Sequence, residues 1–204
     1  MSDEPGTHIS LVMDSGLLMD FFPLFQQGFN VRAQCGGTLE ELLCSQWGID
    51  SDYVTTRITT IFMNHRAIDS IATTTVHTGA VVALSGAMPG LVGATMRRGG
   101  YYAAMRGSMT HQDDTSDSGG GTAEIRVKLF NLLLPELGPA FLKRGLGIEA
   151  AQLATFFHSR DVRFWQGCRL VKRDGIPCEV IDAVGFCNTL VATDKVHLTV
   201  SFEG

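Results

Sequence analysis

The sequence predicts an α+β chain in which one small unit, a few strands packed on a helix, occurs twice. Three observations carry this. Short apolar runs alternate with polar residues at the period of strands with one buried face. Each half holds one helix signal, a capping box at Thr38 and an apolar stripe through Leu153, Phe156 and Phe157. Features of the first half also return in the second at an offset of about 115 residues.

In order along the chain, Met1 to Thr7 is polar and reads as a frayed end, and Ile9 to Met13 reads as a first apolar strand closed by an Asp14-Ser15-Gly16 turn. Leu17 to Phe25 is apolar at nearly every position, a density that fits a short helix or an extended segment equally, and Gly28 ends it. Phe29 to Gln34 alternates Phe29, Val31 and Ala33 with Asn30, Arg32 and Gln34, as a half-buried strand does. Thr38 followed by Glu41 is a capping box, in which each side chain satisfies a backbone N–H that the first turn leaves open. Leu39, Leu42, Leu43 and Trp47 share one face, so a helix is expected from about Leu39 to Trp47, stopped by Gly48. After a polar link come a strand at Ile58 to Met63, a turn at Asn64-His65-Arg66, its return at Ala67-Ile68, and a last strand at Val81 to Leu84.

Gly107 to Thr122 is polar and glycine-rich and reads as a linker. Beyond it Ile125 to Leu129 matches Ile9 to Met13, and Pro139 to Ile148 echoes Pro23 to Val31. A second helix is expected at Glu149 to His158. Cys168 to Val171, a Lys172-Arg173-Asp174-Gly175 turn and Ile176 then parallel the first hairpin. Val191 to Val196 echoes Val76 to Val81, and Val196 to Gly204 alternates as a strand with one open face. The expected organisation is a unit at residues 8–95, a Gly/Arg/Met-rich segment and linker at 96–123, and a second unit at 124–204.

Strand, strand, helix, hairpin and closing strand is the order of a β-grasp. With Gly37-Thr38-Leu39-Glu40-Glu41-Leu42-Leu43, Trp47-Gly48-Ile49, Ile61 to Arg66 and Thr78 to Leu84 in that order, residues 8 to 90 resemble the ubiquitin-like sulfur carriers of molybdopterin and thiamine synthesis. The resemblance implies two tandem ubiquitin-like units and, as an alternative function, a sulfur carrier or an enzyme of that cofactor metabolism. Such carriers work through a free C-terminal Gly-Gly, whereas here the chain runs on through Ala87-Met88-Pro89-Gly90 and ends on one glycine. A chain cleaved after Gly100 would expose Arg97-Arg98-Gly99-Gly100 as such a tail.

Composition narrows the classes. The chain has 204 residues, 45% hydrophobic and 18% charged, enough for a core and without a signature of disorder. A net charge of −5 argues against a general nucleic-acid binder. Five cysteines without a C-x-x-C pair, and no segment that reads as a signal peptide, lead to the expectation of free thiols in the cytoplasm. The uncharged run 79–96 is broken by Pro89 and by glycines, and is expected to be a strand and a loop rather than a membrane span.

No catalytic motif, phosphate loop or metal ligand set is legible, and no cofactor is indicated. His77 and His197 adjoin strands and read as packed or surface residues. The functional expectation falls on residues 86–107. Arg97 and Arg98, followed by Gly99 and Gly100, are expected to offer guanidinium forks and backbone N–H groups to a phosphate or carboxylate. Tyr101, Tyr102 and Arg106, with nearby methionines, are expected to form a contact surface. The reading is a non-catalytic binding or interaction module whose partner is a protein or a second copy, with a small anion as a further ligand.

Overall fold

The computed structural model describes residues 6–102, 105, 120–179, 185 and 194–204. In chain order the elements are β1 (Thr7–Asp14), a 3-10 stretch (Ser15–Phe21), α1 (Phe22–Gln27), β2 (Phe29–Cys35), a π-helical turn (Glu41–Gln46), α2 (Ser51–Thr56), β3 (Thr60–Met63), β4 (Arg66–Ala67) and β5 (Val81–Ser85). There follow α3 (Gly90–Met96), β6 (Gly121–Phe130), α4 (Leu133–Arg144), β7 (Leu146–Glu149), α5 (Ala150–His158), α6 (Val162–Gln166), β8 (Cys168–Arg173), β9 (Ile176–Cys178) and β10 (Lys195–Glu203). The α+β class expected from the sequence is what the chain adopts.

Contacts divide the chain into Met1–Phe29 with Pro135–Gly204, and Asn30–Leu134. This division differs from the sequential one at residues 95 and 124, because β1 finds its partners in the C-terminal stretch. Alternation tells a strand which face to bury and leaves open which strand it pairs with.

In the first of these units β1 pairs in parallel with β10, from Thr7 opposite Val196 to Asp14 opposite Glu203, and antiparallel with β8. The strand order is β7-β10-β1-β8-β9. Ile9, Leu11 and Met13 of β1 and Val196, Leu198 and Val200 of β10 are buried, so the apolar halves of both alternations face one core. Phenylalanines fill it: Phe21 lies 5.6 Å from Phe156 and 5.5 Å from Phe164 between ring centroids, and Phe29 lies 5.2 Å from Phe141. Arg160 stacks its guanidinium 4.6 Å above Phe156 and donates from Nη1 to the Asp20 carbonyl at 2.8 Å. The apolar density of Leu17 to Phe25 resolves into the 3-10 stretch followed by α1, ended by Gly28 at φ 101°. The helix at Ala150–His158 buries Leu153, Phe156 and Phe157 as expected.

In the second unit the strand order is β4-β3-β5-β6-β2. β5 runs parallel to β6 and antiparallel to β3. The turn at Asn64-His65 takes positive φ at both residues, 50° and 67°, the twist that suits a tight hairpin. The capping box is present, with Glu41 N–H donating to Thr38 Oγ1 at 3.1 Å and Thr38 N–H to Glu41 Oε2 at 2.9 Å. Leu39, Leu42, Leu43 and Trp47 are buried, and Gly48 stops the segment at φ 68°. The helix it opens is π-wound, since Trp47 N–H reaches back to the Leu42 carbonyl at 3.0 Å. The polar link after it holds α2, capped by Asp50, whose Oδ1 accepts from Asp52 and Tyr53 N–H at 2.9 and 3.1 Å.

The two orders match at three positions when strands are paired by their place in each half, β2 with β7, β3 with β8 and β4 with β9, and of these β2 with β7 lies near the offset read from the sequence. At the two central positions the opening and closing strands are transposed, β6 and β5 in one unit against β10 and β1 in the other. Duplicated halves were expected to share one strand order, and the central pair departs from that. Both central pairs are parallel, so either strand can take either place without changing the face it buries. Val191 to Thr193 and nearly all of the polar linker lie outside the described residues.

Candidate functional site

The stretch after β5 is fastened to its own unit before it reaches the expected site. Ser85 is buried, and Asn131 donates from Nδ2 to Ser85 Oγ at 3.0 Å and also to the Ala87 carbonyl. Thr59 Oγ1 donates to the Gly86 carbonyl at 3.0 Å. α3 then forms where a glycine-rich loop was expected. Gly93 lets it form, since a Cβ there would collide with the Met88 carbonyl. The uncharged run 79–96 is therefore a turn, a strand and a short helix, and among the described residues no helix is long and apolar enough to cross a membrane.

The arginine pair divides. Arg97 is exposed. Arg98 turns toward its own unit: its N–H donates to the Thr59 carbonyl at 2.8 Å, and its Nη2 donates to the Val54 carbonyl at 2.8 Å in the last turn of α2. A cation at a helix C-terminus meets carbonyls that no further turn satisfies. Burial lowers the Arg98 pKa from its ordinary value, and its Nη1 is shut off from solvent without a hydrogen-bond acceptor. Gly99 takes φ 61° and Gly100 N–H closes onto the Arg97 carbonyl at 3.1 Å. The expected cradle of paired forks and backbone N–H groups is thus partly spent internally, on Val54, Thr59 and Arg97.

The apolar part of the stretch lies open. Tyr101 and Tyr102 sit edge to face with ring centroids 5.1 Å apart, and their relative exposures are 92% and 42%. Leu91 and Val92 on α3 and Met105 are likewise exposed, at 68%, 62% and 69%. Leu91 and Val92 were not singled out from the sequence, because an apolar run gives no face until the helix is known. Arg106 lies outside the described residues.

No family model, curated protein or solved structure matches this chain.

Proposed function

We propose that this chain is an interaction module of β-grasp type, which docks a second copy of itself through the exposed residues of α3 and the tyrosine pair. One observation carries the reading: Leu91, Val92, Tyr101, Tyr102 and Met105 stand 42% to 92% exposed within residues 91–105. Single exposed apolar residues are ordinary, but several in one short stretch mark a surface that gains by being covered. A homodimer is the partner always at hand. Arg97 then rims the contact, where a guanidinium pairs with an acidic group of the other copy or with a small anion.

The β-grasp part of the reading is supported by the order β2-β6-β5-β3-β4 with a parallel pair at its centre. A duplication is supported by Gly28 and Gly145, each ending a helix at positive φ just before a strand, at 101° and 108°. The docking reading is tested by sedimentation velocity over a concentration series, with wild type beside a Leu91→Ser/Tyr101→Ser variant. Wild type should dimerise at about 10 μM, the range of a contact worth roughly 7 kcal/mol, and the variant should stay monomeric. A wild type that remains monomeric at five times that concentration sinks the self-docking reading.

A further inference from the structure

On the β1–β10 pair, two histidines that lie nearly a chain length apart in sequence become direct neighbours. His8 and His197 are register partners on parallel strands, and their ring centroids are 5.3 Å apart with planes tilted by 48°. Each ring is seated by its own surroundings. His8 Nε2 lies 3.0 Å from Thr199 Oγ1, and Thr199 in turn donates its hydroxyl proton to Ser10 Oγ at 3.1 Å. The Thr199 contact engages Nε2 of the His8 ring, and Nδ1 is the ring's other nitrogen able to ligate an ion. His197 rests its Nε2 edge against Gly145, whose φ of 108° and missing side chain leave room for the ring. Its partner across β10–β7 is Gly147, so no side chain stands directly opposite it there.

We propose that His8 and His197 form a two-imidazole site for a divalent transition-metal ion such as Cu²⁺, Ni²⁺ or Zn²⁺. An ion about 2.0–2.1 Å from one nitrogen of each ring, at a tetrahedral angle, places the ring centres about 5 Å apart, which is the spacing here. Imidazole suits these metals, and a hydrogen bond on the far nitrogen is the usual way a ligating ring is held and its tautomer fixed. The nearby carboxylate is already engaged, since Asp174 Oδ1 accepts from the His8 backbone N–H at 2.8 Å and Oδ2 lies 3.7 Å from Arg173 Nε. Among the described residues no group of three or more ligating side chains forms, so water completes the coordination.

The test uses the full-length protein with Cu²⁺ as probe. In two-dimensional NMR of wild type, substoichiometric Cu²⁺ should broaden first the amides of residues 7–9 and 196–198. Calorimetry should show one site whose affinity falls at least tenfold in His8→Asn and in His197→Asn, because either variant loses chelation. Electron paramagnetic resonance should report two nitrogen donors in wild type and fewer in the variants. Broadening centred on His65, His77 or His158 instead, or single variants that bind as wild type does, would overturn the proposal. Because the NMR experiment needs only wild type, the proposal remains testable even where a variant fails to fold.

Discussion

Replacing Thr38 by Ala removes one half of a reciprocal pair whose geometry fixes the expected cost. Thr38 Oγ1 accepts from Glu41 N–H at 3.1 Å and Glu41 Oε2 accepts from Thr38 N–H at 2.9 Å, both at an exposed position. Water can reach the donor that is left behind, so the loss should be close to an ordinary cap, about 1 kcal/mol, rather than that of a buried orphan. At a urea m-value of about 2 kcal/mol/M this moves the midpoint by about 0.5 M. Glu41→Ala should cost a similar amount. The double variant should lose less than the two losses added, since each side chain orders the other. Gly37→Ala offers an independent route to the same break, because its Cβ would stand where the Glu41 carboxylate lies. Urea denaturation followed by circular dichroism on wild type and the four variants measures all of this. An unchanged Thr38→Ala midpoint, or strict additivity with Glu41→Ala, would refute the reasoning.

Three further outcomes follow from the packing. Gly145→Ala should destabilise by about 1–3 kcal/mol, because φ is 108° there and the new Cβ meets the His197 ring; equilibrium unfolding measures it. His197 is held below its ordinary pKa in the folded state, so the unfolded chain binds more protons as the pH falls, and stability present above about pH 6.5 should decline on acidification. His197→Asn should flatten that part of a stability-against-pH curve measured between about pH 7 and 5, and an unaltered slope counts against it. Arg98→Ala should cost about 1 kcal/mol by unfreezing the end of α2, less than a fully buried charged hydrogen bond because the side chain is partly hydrated.

Much of the secondary structure was legible because its causes are local. The Thr38 box, the Gly48 stop, the Asp174-Gly175 turn and the alternation of β1, β2 and β10 all depend on residues within a few positions of one another. The misses have local reasons too. The polar link was read through Asp50 without crediting it as a cap, and α3 was hidden by glycines that usually end helices, although Gly93 is there to let the helix approach Met88. The winding of the first helix was also out of reach, since a capping box fixes where a helix starts and leaves its pitch to packing.

The sequence by itself determined which face the alternating strands bury and where several of the turns fall. Only the tertiary structure decided that β1 pairs with β10, that Arg98 faces Val54 while Arg97 faces outward, and that His8 meets His197. The physical reason is the same in each case. Burial and turn formation are set by a residue's own side chain and its nearest neighbours along the chain, whereas pairing depends on contacts between distant segments, whose alternation is equally satisfied by several partners until the whole core is packed.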